Sequence, residues 1–189
     1  MGAGCSSDNN VIRASTASLQ DNETAPFKIL IFGPSNAGKT YLLYSWLLEV
    51  KGVHSTKPTE EFNVETVESK SGDKFTVWDL SGALRHHRKR KFYEGTQGLV
   101  FVYDASTDSK LAKDDLQLLL EERFVKDVPL MIVANQLKEH ETPSEEDLLT
   151  NLGVKQYLVS RQWCLTRVRL KSQQDIDEAI CDLQRLVTK

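Results

Sequence analysis

Gly33-Pro34-Ser35-Asn36-Ala37-Gly38-Lys39-Thr40 keeps the spacing G-x-x-x-x-G-K-[ST], and the chemistry of that spacing is phosphate binding. Glycines let the backbone turn so that its N–H groups reach phosphate oxygens. The Lys39 ammonium adds charge toward the outer phosphates, and the Thr40 hydroxyl is a magnesium ligand type. A helix opening at the same point turns its positive end to the anion. A second site is expected where a carboxylate holds magnesium through water and a glycine N–H meets a terminal phosphate, and Trp78-Asp79-Leu80-Ser81-Gly82 has that form. At the N-terminus, Met1-Gly2-Ala3-Gly4-Cys5-Ser6 matches M-G-x-x-x-[ST], which marks Gly2 for myristate and the nearby Cys5 for palmitate. One acyl chain binds a bilayer reversibly, whereas two hold a protein there stably.

These residues need a scaffold, and the pattern of the chain predicts one. Phe27-Lys28-Ile29-Leu30-Ile31-Phe32 is a short, nearly continuous apolar run, as expected for a strand buried on both faces of a parallel sheet, and similar runs recur at 99–103 and 130–134. Helical patterns alternate with them: Leu42, Leu43, Trp46, Leu47 and Val50; then Leu111, Leu116, Leu119 and Leu120; last Ile176, Ala179, Ile180, Leu183 and Val187. Residues 62–67 and 74–78 flank Ser71-Gly72-Asp73 and read as an antiparallel hairpin. Thr142-Pro143-Ser144-Glu145 reads as an N-cap, a proline at the first helical position and a glutamate at the third, opening a short helix that stops at Gly153. One more strand is expected around Trp163 and Leu165, before a helix opened by Ser172. The sum is an α/β doubly wound domain over 27–189, preceded by a flexible, acylated tail over 1–26.

Composition narrows the function classes. The chain has 189 residues, a net charge of -3 and 40% hydrophobic residues, which fits one ordinary globular domain. No apolar run approaches the length of a membrane-spanning helix, and the first ten residues lack a secretory signal's charged and apolar regions. Cys5, Cys164 and Cys181 form neither a disulfide framework nor a zinc spacing. Arg85, Arg88, Lys89, Arg90 and Lys91 concentrate positive charge in one stretch and leave the remainder acidic, so a nucleic-acid-binding domain is not expected. That stretch has three competing readings: a solvated helix face, a dock for anionic lipid, or a dock for an acidic partner.

Phe62-Asn63-Val64-Glu65-Thr66-Val67-Glu68, Phe75-Thr76-Val77-Trp78-Asp79 and Gly95-Thr96-Gln97-Gly98-Leu99-Val100-Phe101-Val102 resemble the ADP-ribosylation factor (Arf) branch of the small GTPases, and the likeness runs from about residue 27 to the C-terminus. It implies the P-loop small-GTPase fold, a mostly parallel six-stranded sheet with helices on both faces and an antiparallel hairpin between the two switches. It also implies GTP or GDP as ligand with Mg2+, Thr59 as the switch I threonine that senses the γ-phosphate and the metal, and residues 80–93 as switch II. Gly82 would meet the terminal phosphate, and Phe62, Trp78 and Phe92 would form the surface that effector proteins read.

The sequence departs from that family at several of these positions. Ser81 replaces the first glycine of the family's W-D-x-G-G-Q, and Ala83 replaces the glutamine that orients the attacking water. Hydrolysis in this superfamily is already about 10⁻⁴ to 10⁻³ per second, so it is expected to be very weak here. Glu60-Glu61 follows Pro58-Thr59 and would set two carboxylates beside a triphosphate unless they point away. The base-binding N-K-x-D corresponds to Asn135-Gln136-Leu137-Lys138. Only Asn135 keeps its type, and Lys138 has no acceptor for guanine. Thr166-Arg167-Val168-Arg169 stands where the family has a small-residue loop over the base.

The expected protein is a membrane-tethered, Arf-like GTP-binding switch that recruits partners in membrane or vesicle trafficking, cytoplasmic and peripheral on the cytosolic face of a membrane. The rival expectation is a pseudo-GTPase scaffold that no longer depends on nucleotide. A P-loop kinase or ATPase ranks below both.

Overall fold

The computed structural model describes residues 25–106, 110–135 and 143–188. Its six strands are β1 (Phe27–Phe32), β2 (Phe62–Glu68), β3 (Lys74–Leu80), β4 (Gly98–Asp104), β5 (Leu130–Asn135) and β6 (Trp163–Val168), in the sheet order β2-β3-β1-β4-β5-β6. All neighbours pair in parallel except β2 with β3, the hairpin expected around Gly72. Helices are α1 (Lys39–Leu48), α2 (His86–Lys89), α3 (Lys110–Leu120), α4 (Glu145–Leu152), α5 (Lys155–Leu158) and α6 (Gln173–Val187).

The central strands read as apolar runs because both of their faces are covered. Along β1, Ile29 and Ile31 enter the core shared with Leu42, Ala179 and Leu183 of α1 and α6. Leu30 and Phe32, pointing the other way, enter the core shared with Leu116 of α3 and Leu149 of α4. The period of two in a strand thus feeds two helical layers. Strand β1 lies between β3 and β4, with Ile31 opposite Asp79 and Phe32 opposite Phe101. The loops after β1 and β3 therefore leave the sheet side by side, at its carboxyl edge.

Several local expectations shift. Helix α1 ends at Leu48, followed by Glu49 at φ 59, so Val50 lies beyond it and Leu47 is exposed. Leu111, expected on the buried face of α3, is exposed instead. The cap of α4 is Ser144, two residues later than expected. Its hydroxyl accepts from the Asp147 N–H at 3.1 Å and the Asp147 carboxylate accepts from the Ser144 N–H at 3.3 Å, a reciprocal pair that fixes the start of the helix. Gly153, at φ 63, ends that helix as expected, and Ser172 caps α6.

Candidate functional site

The loop 33–40 joins β1 to α1. Gly33 sits at φ 136, where a methyl group would stand 2.0 Å from the Val102 carbonyl oxygen, so no other residue fits there. Lys39 folds back over the loop, and its Nζ donates to the carbonyls of Gly33 at 3.0 Å and Pro34 at 2.7 Å. Burial pushes its ammonium down to about 8, against the pull of Asp79. A cleft of about 340 Å³ opens beside it, lined among others by Ser35, Lys39, Thr40, Thr59, Gly82 and Ala83. That volume lies within the range of small-molecule sites.

Thr40, Thr59 and Asp79, from three separate segments, converge. The Thr40 hydroxyl donates to Asp79 Oδ2 at 2.6 Å and lies 2.8 Å from the Thr59 hydroxyl, which is itself 3.2 Å from the same oxygen. Asn63 completes the group, its Nδ2 donating to Asp79 Oδ2 at 3.2 Å and to Thr59 Oγ1 at 3.3 Å. Asp79 is fully buried, and its other oxygen, Oδ1, has no hydrogen-bond partner. An orphaned carboxylate oxygen beside two hydroxyls is an all-oxygen donor set that fits a hard cation such as Mg2+, directly or through its water.

Asn63 was not among the residues expected here. The hairpin register brings it there, since Asn63 pairs directly with Asp79 across β2 and β3. Gly82 presses on the phosphate loop so closely that a Cβ would lie 2.3 Å from the Ser35 nitrogen. Ala83 donates its backbone N–H to the Ser81 hydroxyl at 3.3 Å and carries only a methyl group into the cleft.

The carboxylate of Glu61 turns away from the cleft. It accepts from Lys91 at 2.6 Å and from Arg88 at 3.4 Å, and the hydrogen bond from Lys91 holds it below the usual carboxylate range. Internal pairing takes Lys89 out of the basic stretch's solvated face, while Arg88, Arg90 and Lys91 stay more than half exposed on it. Lys89 is buried against Asp115 at 2.7 Å, and Arg90 and His86 both reach Glu122, at 2.7 and 2.8 Å. Arg88, Lys89, Arg90 and Lys91 thus each have a carboxylate partner within the fold, Glu61 serving two of them.

The expected effector surface needs a similar correction. Phe62, Trp78 and Phe92 do form one aromatic group, with centroids 5.4, 5.1 and 5.8 Å apart. Phe62 is 40% exposed, but Phe92 is only 5% exposed. Phe92 supports the other two rings from beneath and does not itself present a surface.

Asn135, expected at the base, is fully buried. Its Nδ2 donates to the Ala37 carbonyl at 3.0 Å, tying the end of β5 to the phosphate loop. Gly2, Cys5 and Lys138 lie outside the described residues. Thr166 donates to Asp182 at 2.8 Å. Arg169 clamps Asp175 through Nε at 2.8 Å and Nη2 at 2.9 Å. That hydrogen-bonded pair, with help from Ser172, holds the Asp175 carboxyl down to about 2. A carboxyl depressed from 3.8 stabilises the fold above that pH and loses its contribution as pH falls toward 2. Asp175→Asn is therefore expected to lower the thermal midpoint at neutral pH, with the gap to wild type closing in acid. A gap of constant size down to the lowest pH would show that the clamp is not ionic.

Among solved structures, the Arl6 BBS3 small GTPase from Trypanosoma brucei, with bound nucleotide analogue GppNp, is similar to this chain at a TM-score of 0.74 and 21% identity, over 87% of this chain and 98% of that one. At that identity the likeness speaks for the fold. The sequence profile of the ADP-ribosylation factor family matches residues 14–187, nearly the whole chain. The chain belongs to the ADP-ribosylation factor family of small GTPases.

Proposed function

We propose that this chain is a lipid-tethered, GTP-binding switch that turns over very slowly and recruits partners at a membrane. The observation that carries this reading is the convergence of Thr40, Thr59 and Asp79, with its orphaned oxygen, at the mouth of the loop 33–40. Lys39 and the loop amides would hold the phosphates, Thr40 and Thr59 would ligate Mg2+, and Asp79 would support it through water. The metal neutralises charge on the phosphate oxygens. Gly82, already against the loop, would sense the terminal phosphate, and contact there would order the segments that carry Phe62 and Trp78. Ala83 offers no group to orient water, so the loaded state would persist. Calorimetry with Mg2+ and GTP tests the reading: saturable binding that EDTA abolishes is expected, and absence of heat would sink it.

The tether rests on Gly2 and Cys5. No helix among the described residues is long and apolar enough to cross a membrane, so membrane attachment would come from acylation. Gly2→Ala is expected to move the protein from the pelleted membrane to the supernatant, and unchanged pelleting would count against the tether. A second reading, the nucleotide-independent scaffold, is favoured by the ion pairs of Lys89, Arg90 and Lys91 and the His86 hydrogen bond, which fasten this stretch to Asp115, Glu122 and Glu61.

A further inference from the structure

Beside the phosphate loop, at Gly38, two of the protein's own side chains lie against the first turn of α1. Thr59 and Gly82 border the phosphate loop from the β3 side. A ligand whose terminal phosphate lay there and whose chain followed the loop past Gly38 would run toward the carboxyl ends of β5 and β6. Three observations meet at that point. Asn135, at the end of β5, is fully buried, with its amide nitrogen taken up by Ala37 and its Oδ1 shut in without a partner. Leu170, just beyond β6, is only 7% exposed and folds inward. A methyl group added to Gly38 would stand 2.3 Å from Leu170 Cδ1 and 2.9 Å from Asn135 Nδ2, so these two side chains together cover the first turn of α1. The backbone behind Leu170 is also tied down: the Arg169 N–H donates to Asp175 at 2.9 Å and the Ser172 N–H to the Arg169 carbonyl at 2.8 Å.

An aliphatic side chain offers no donor or acceptor to a base edge, and discrimination between bases depends on such partners. We infer that Leu170 plugs the base end of the cleft, so that the site selects a magnesium-bound polyphosphate chain and the base adds little. The ligand class is polyphosphate, nucleoside triphosphates included whatever their base. This rests on the preceding reading that the cleft takes a triphosphate.

The test is calorimetry on the full chain with Mg2+ and, separately, GTP, ATP and inorganic tripolyphosphate. The three dissociation constants are expected to agree within about tenfold, against the roughly 10⁴-fold discrimination of a site built around base hydrogen bonds. Leu170→Ala should tighten both nucleotides by about tenfold relative to tripolyphosphate, whose own affinity stays as it was. Leu170→Val, a smaller change to the core, should move the same ratio in the same direction. A wild-type preference above about tenfold for either nucleotide over tripolyphosphate overturns the plug, as does an unchanged ratio in both variants. If tripolyphosphate binds but GTP is strongly preferred, this inference alone fails. If none of the three binds, the triphosphate reading falls with it.

Discussion

Lys39→Ala is expected to weaken magnesium-dependent polyphosphate binding by about 2–5 kcal/mol, from roughly thirtyfold to several thousandfold, the usual cost of truncating one member of a buried, hydrogen-bonded charge pair. The cation is already in place. Its Nζ rests on the Gly33 and Pro34 carbonyls, and the loop need not reorganise to present it. Holding it there works against stability, because burial pushes its pKa down from 10.5 to about 8. The alanine variant should therefore unfold at about the wild-type temperature or above while it loses the ligand. Calorimetry beside a thermal melt separates the two effects. Binding that survives the substitution would remove Lys39 from the site, and a collapsed melt would assign it a structural role.

Asp115→Ala should cost about 3–5 kcal/mol of folding stability, because it leaves the Lys89 ammonium buried with no counter-charge. The Lys89 side chain is 3% exposed and its partner carboxylate lies 2.7 Å away. Against the total of about 5–15 kcal/mol typical of a domain, the loss is severe. Lys89→Met removes the deeply buried ammonium and leaves only the Asp115 carboxylate, whose side chain is 21% exposed and so partly hydrated, so its loss should be smaller than that of Asp115→Ala. Urea unfolding of both variants decides the matter. Equal, small losses would mean that the ammonium reaches water and that α2 is not held to α3 by this pair.

Both predictions concern single lysines, yet the two differ in how far the sequence exposed them. Lys39 was legible because its partners, Gly33 and Pro34, lie within the same short loop, and a strand, a turn and a helix in succession suffice to build it. The apolar runs likewise announced the parallel strands, and Gly72 and Gly153 marked a turn and a helix end. Lys89 was legible only as one charge in a basic run. Asp115, Glu61 and Glu122 lie on other elements, and no local spacing relates them to residues 86–91. The same holds for Asn63, placed beside Asp79 by hairpin register, and for Phe92, which packs beneath Phe62 and Trp78.

The sequence by itself determined the order of strands and helices, the phosphate loop and the family, because each depends on periodicity or on spacing along a few neighbouring residues. Only the tertiary structure decided which charges neutralise one another, that Asn135 braces the phosphate loop, and that Leu170 fills the ground beside it. Pairing and burial are properties of distance in space. They come into being when β5 and β6 bring the ends of the chain's second half against a loop formed in the first.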